Sequence, residues 1–226
     1  MPGPIRNAAR TRARILKIAT SEFATKSFDG ARVDRIAARA RVNKHMLYHY
    51  FGSKEGLFTA VLEEMYGSIR DSQQEMSLAE LPPEEALRQL IVQTHEVILA
   101  HPEFIGLLNS ENLMKARHIR ESAMIRQLYD PLIPGLRAIL ERGAEAGVFR
   151  AGIDPVDLYV SIGSLCFHAI SNQHTLKAIF DVDLTSKAAL ERRLDHVTQM
   201  ILAYCRAEFG SASQPAPPQR LSAIGN

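Results

Sequence analysis

Apolar residues in the first 65 positions recur at helical spacing in four short bursts, and this pattern constrains the chain more than any other feature. The bursts are Ile15, Ala19 and Phe23; Val33, Ile36, Ala37 and Ala40; Leu47 and Phe51; and Leu57, Phe58, Val61, Leu62 and Met65. Each predicts a helix with one apolar face. Turn residues separate them: Asp29-Gly30, then Arg41-Val42-Asn43, then Gly52-Ser53. Asn43 and Ser53 each precede a helical run and carry a side-chain oxygen suited to free backbone N–H groups, so both are expected N-caps. Two short helices joined by a three-residue break read as a helix-turn-helix, a geometry that can place its second helix in a DNA major groove.

That second helix turns Leu47 and Phe51 inward and leaves Lys44, His45, Met46, Tyr48 and His49 mostly outward. Donors and flat apolar surface of this kind suit phosphates and base edges alike. Tyr50 has two readings, donation to a phosphate or packing beside Phe51. Lys54 lies just past the Ser53 cap, where an ammonium and free N–H groups together suit a phosphate. The charge distribution agrees. Residues 1–54 carry twelve Lys or Arg against Glu22, Asp29 and Asp34, a net +9, which leaves −7 for the remainder of a chain whose total is only +2. Such asymmetry suggests a polyanionic partner for the first part.

Beyond Pro82 the periodicity stays helical, with no alternating run or Asn-Gly hairpin from which a sheet could be proposed. Helices are expected at about Pro82 to Ala100, Pro102 to Lys115, Arg117 to Tyr129, Pro131 to Gly147, Pro155 to Leu176 and Thr185 to Phe209. The segment 210–226, with Pro215, Pro217 and Pro218 among small polar residues, is expected to be disordered. The opening arginines lead into no uninterrupted apolar stretch, and Leu158 to Leu176 holds too many polar residues to cross lipid, so no export and no membrane partner are expected. Cys166 and Cys205 sit in apolar helical patterns and are expected to be reduced core thiols, which makes the cytoplasm the expected compartment.

The stretch from Arg14 to Leu62 resembles the TetR family of bacterial transcriptional regulators. The resemblance rests on RILKIATSEFATKSFDG followed by VDRIAARARVNKHMLYHYFGSKEGLFTAVL, and within it on Leu47-Tyr48-His49-Tyr50-Phe51, Ser53-Lys54-Glu55 and the Ile36-Ala37 pair. It implies an all-α protein. Residues 1–54 would form a three-helix helix-turn-helix DNA-binding domain, and residues 55–209 a helical effector-binding and dimerisation domain. It further implies a homodimer, usually a repressor, released from a palindromic double-stranded DNA operator by a small-molecule effector. By the same resemblance Tyr48 and Lys54 would touch phosphates, while Lys44, His45 and His49 would touch phosphates or base edges. Two residues depart from the family pattern. Arg41 stands where glycine is usual in the turn, and Arg32 stands where a Thr often caps the second helix, replacing that cap with a cation close to DNA. Around His101-Pro102-Glu103-Phe104 and Glu111 the chain is similar to regulators of pyrimidine or N-heterocycle catabolism.

Enzyme chemistry finds no support. No histidine follows a glutamate at di-metal spacing, no Cys-x-x-Cys pair exists, and GxGxxG, P-loop and GxSxG motifs are lacking, so neither a metal site nor a cofactor is expected. A DNA-binding architectural module without effector is the other class considered. It sits poorly with some 150 residues of helix beyond the DNA reader. Leu190, Leu194, Val197, Ile201 and Tyr204 form a seam on the last helix that would face either a second subunit or the chain's own core. Phe104, Leu107, Leu108 and Glu111 are expected to share one helical face, with Asn112 at its edge, and Ser164, His168 and Asn172 form a polar line on another helix. The five polar residues either satisfy one another structurally or bind an effector, which would then be a small planar polar heterocycle.

Overall fold

The computed structural model describes residues 4–74 and 78–210. The expected disordered tail lies outside the described residues, apart from Gly210. Twelve α-helices follow one another in the described residues: α1 (Pro4–Gly30), α2 (Val33–Arg39), α3 (Lys44–Phe51), α4 (Lys54–Gln74), α5 (Pro83–Ala100), α6 (Pro102–Leu113), α7 (Arg117–Glu121), α8 (Ala123–Tyr129), α9 (Leu132–Glu145), α10 (Pro155–Ser171), α11 (Gln173–Phe180) and α12 (Lys187–Cys205). A 3-10 turn at Ala207–Gly210 ends them. The chain is all-α, with a lone antiparallel bridge between Phe149 and Arg206 among the described residues.

Two apolar cores organise these helices. The first gathers Ile15, Ala19, Phe23, Ile36, Leu47 and Phe58 from α1 to α4, and Leu107 of α6 and Ile125 of α8 also belong to it. The division expected after Lys54 therefore falls at the start of a helix that packs with both parts. The second core surrounds α5, whose Leu87 and Ile91 are fully buried against Leu136 of α9, Ile162 of α10 and Val197 of α12. Cys166 and Cys205 are both buried in it, where desolvation pushes each thiol up to about 11 and keeps it protonated.

Local chemistry sets the helix ends. Asn43 caps α3 by accepting from the Met46 N–H at 2.7 Å, and Ser53 caps α4 by accepting from the Gly56 N–H at 3.0 Å. Arg41 takes the left-handed conformation (φ 51°). There the Val42 N–H donates to Ala37 O and the Arg41 N–H to Ala38 O, both at 3.1 Å, which closes α2 as glycine normally would. Three expected helices are shorter or divided. Arg117 to Tyr129 is split at Ser122, which stays extended, caps α8 through the Ile125 N–H at 3.2 Å and donates to Glu63 Oε1 at 2.8 Å. Pro155 to Leu176 breaks at Asn172, which leaves helical geometry. Thr185 to Phe209 becomes α12 followed by an extended Arg206 that bridges to Phe149.

Candidate DNA-binding face and effector cleft

α3 presents its outer surface because its inner one is anchored. Leu47 is 0% and Phe51 9% exposed, whereas Lys44, His45, Met46, Tyr48 and His49 all face solvent. Tyr50 is half-buried against the first core with its ring 6.2 Å from Phe51, which favours the packing reading of this residue. Lys44 pairs with Asp34 of α2 at 3.0 Å, and the hydrogen bond to that carboxylate holds its ammonium above the usual lysine range. Arg32 is exposed next to it and provides no side-chain cap for α2. Lys54 is half-buried: its ammonium lies 4.8 Å from the Phe28 ring and donates to Asp29 O at 3.3 Å. It therefore ties the end of α1 to the start of α4.

Behind this face α1 meets α6 at very short range. A Cβ at Gly106 would overlap the carbonyl of Ala24, so only glycine lets the two helices approach this closely. One turn further along α6, the Phe28 N–H donates to Ser110 Oγ at 2.8 Å. That bond falls where α1 kinks, with Ser27 at φ 57°. Phe28 stacks on Phe23 and lies edge-on to Phe58, and both Phe28 and Phe58 touch the ring of His118.

On the other side of α6 opens a cavity of about 510 Å³ between α4, α5, α6, α8 and α10. Tyr66, Phe104 and Tyr129 form its aromatic wall, with Tyr66 at 5.4 Å and nearly perpendicular to each of the other two rings. Tyr159 and Phe167 contribute from α10. Burial pushes the Tyr66 phenol up to about 12 and raises Tyr129 and Tyr159 as well, so all three hydroxyls stay protonated near neutrality.

Of the five expected effector residues only Ser164 lines this cavity. Glu111 is 1% exposed on the far side of α6. Its Oε1 accepts from the His118 N–H at 2.7 Å and the Ile119 N–H at 3.0 Å, and its Oε2 meets His118 Nδ1 at 2.9 Å. The carboxylate caps α7 and lies outside the lining of the cavity. Phe104 and Leu108 line the cavity, whereas Leu107 and Glu111 are turned into the protein, so reading these residues as one face placed Glu111 on the wrong side of the helix. Asn112 donates to Leu108 O at 2.9 Å. Asn172 reaches His168 Nδ1 at 3.2 Å and His168 O at 3.1 Å, so these two satisfy one another outside the cavity. Sequence reasoning missed Tyr66, Tyr129 and Tyr159. The usable signal was a phenol inside an apolar helical stripe, since a buried tyrosine hydroxyl calls for a partner.

The seam on α12 is also turned inward. Val197 is 1% and Ile201 4% exposed in the protomer's own second core, and Leu190 and Leu194 pack against it. Only Tyr204 of the five is exposed. The outward faces of the same helix pair carry Val156 and Val160 on α10 and Met200 beside Tyr204 on α12.

An outward-facing capped helix on a three-helix core, backed by helices that enclose a ligand-sized aromatic cavity, defines a DNA-binding regulator of the one-component kind. Residues 15–61 match the family described as bacterial regulatory proteins, tetR family, and residues 83–201 match the tetracyclin repressor-like C-terminal domain. The chain belongs to the TetR family of transcriptional regulators. It is similar to the HTH-type transcriptional repressor NicS of Pseudomonas putida, with 39% identity over 86% of this chain and 92% of that protein. It also resembles the HTH-type transcriptional repressor SCO4008 of Streptomyces coelicolor, with 32% identity over 68% of this chain and 74% of that protein. Among solved structures, the regulator SCO4942 of Streptomyces coelicolor superposes with a TM-score of 0.64 at 26% identity, over 84% of this chain and 97% of that one. The family is one of transcriptional regulators rather than enzymes. Among the described residues no helix is long and apolar enough to cross a membrane.

Proposed function

We propose that the protein is a homodimeric cytoplasmic repressor whose operator affinity falls when a small molecule occupies the cavity behind α6. The observation that carries this reading is that the two faces of α6 serve two sites. Phe104 and Leu108 line the cavity, while Gly106 and Ser110 of the same helix hold α1 of the DNA-reading core. A ligand that shifts α6 acts directly on the element that positions α3, and it favours release to the extent that it binds the two arrangements unequally.

In this reading Lys44, His45, Met46 and His49 meet base edges and phosphates, with Tyr48, Arg32 and Lys54 on the backbone. Residues 1–54 act as the reader, and residues 55–209 hold the effector and the second subunit. The partner covers the outward faces of α10 and α12, so that Val156, Val160, Met200 and Tyr204 replace the inward seam as contacts. Footprinting over genomic fragments tests the operator. Two related half-sites about one helical turn apart, roughly 34 to 36 Å or somewhat more, are expected. Protection of a single unpaired half-site by a monomer contradicts the proposal.

A further inference from the structure

The donor and acceptor groups around the cavity are unequally supplied. Among the described residues no Asp or Glu lines it, and Arg126, on the outward side of α8, is the only charged side chain in its wall. Among the described residues no carboxylate pairs with that guanidinium. The hydroxyls of Tyr66, Tyr129 and Tyr159 add donors, and none of the three is bonded to another protein group among the described residues. The Thr94 hydroxyl already gives its proton to Leu90 O at 2.7 Å. The cavity thus offers a planar five-donor fork at its rim and hydroxyls inside that donate or accept, with no anionic acceptor among the described residues of its wall.

Its walls are otherwise rings and aliphatic side chains. Tyr66, Phe104, Tyr129, Tyr159 and Phe167 present faces and edges to the space, and Ile98, Leu108 and Ile125 close it. Edge-to-face geometry between existing rings accepts another flat ring more readily than a branched chain. We propose that the effector is a small aromatic carboxylic acid, with its ring between Tyr66, Phe104 and Tyr129 and its carboxylate on the Arg126 guanidinium. The guanidinium and carboxylate pair in a bidentate manner, and the phenols donate to ring substituents that accept hydrogen bonds. A cationic or donor-rich ligand would find no acceptor of matching charge. This assignment rests on the cavity being the effector site proposed above.

Calorimetry on the full-length protein tests it with benzoate, 4-hydroxybenzoate and 2-naphthoate, each against its primary amide, in parallel with operator release followed by fluorescence anisotropy. The acids are expected to bind at least tenfold more tightly than the matched amides. Arg126→Gln should abolish that preference, and Arg126→Lys should restore part of it. Arg126 is exposed and ion-pair-free among the described residues, so both variants should keep unliganded operator affinity, which serves as the check on folding. Equal or tighter binding of the amides, a preference that survives Arg126→Gln, or no binding by any acid overturns the proposal. The two readings fail separately. Acids that bind through Arg126 without weakening the operator complex sink the effector role and leave the ligand class standing, whereas release by amides or amines does the reverse.

Discussion

Arg41 adopts a backbone conformation that L residues avoid, yet the turn it occupies is fully bonded, with both carbonyls at the end of α2 receiving N–H groups. The side chain therefore costs about 1 kcal/mol without altering the turn's shape. Arg41→Gly should raise unfolding free energy by up to about 1 kcal/mol in urea titration, less whatever the extra chain freedom of glycine subtracts. A loss of stability would mean that the arginine makes a favourable contact the geometry does not reveal. The caps at Asn43 and Ser53 were legible in the sequence because each depends on bonds within a few residues, whereas the left-handed Arg41 is a finding of the structure. Glu111 was not legible either. Its partners follow a turn in which Lys115 and Ala116 are both left-handed, so helical phase beyond Leu113 gives no guide to where His118 returns. Glu22 escaped notice for a related reason. It is 3% exposed and stands between Arg35 at 3.5 Å and Arg39 at 3.6 Å, a clamp between α1 and α2 that appears only once the two helices are packed.

At the scale of the element, α6 and α7 form a unit bonded by one carboxylate. With the proton on Nδ1, His118 donates to Glu111 Oε2, while two α7 N–H groups donate to Oε1, so the acid neutralises the positive end of a helix only five residues long. Glu111→Gln keeps the shape and an acceptor oxygen but confronts His118 Nδ1 with an amide donor. Thermal and urea unfolding should show a loss of about 1.5 to 3 kcal/mol, the range for a hydrogen bond to a charged group. An unchanged midpoint would indicate that His118 changes tautomer at no cost and that the pair is not what fixes α7. The helices themselves were readable from apolar periodicity. Their interruptions at Ser122 and Asn172 were not, because polar residues inside a periodic run are also ordinary surface positions of an unbroken helix.

For the whole molecule, the protomer buries the apolar seam of α12 yet leaves Val156, Val160, Met200 and Tyr204 at 49%, 57%, 46% and 42% exposure on adjoining helices. Periodicity identified the seam but could not tell an intramolecular core from an intersubunit one, since both present the same apolar stripe. The two possibilities separate by mutation. Val160→Glu should yield folded monomers by sedimentation, with operator affinity reduced at least tenfold because each monomer holds one half-site, whereas Ile201→Glu should unfold the protomer by placing a charge in its core. A Val160→Glu protein that remains dimeric would move the interface to another face.

The contact between Gly106 and Ala24 leaves no slack between α1 and α6. Close-packed contacts of this kind shift between discrete arrangements instead of yielding by degrees. If cavity and operator are linked through that joint, thermodynamic reciprocity makes the traffic two-way. Whatever factor the effector takes from operator affinity, bound operator must take from effector affinity, so the protein parked on its promoter would be a poorer sensor than the same protein free in solution.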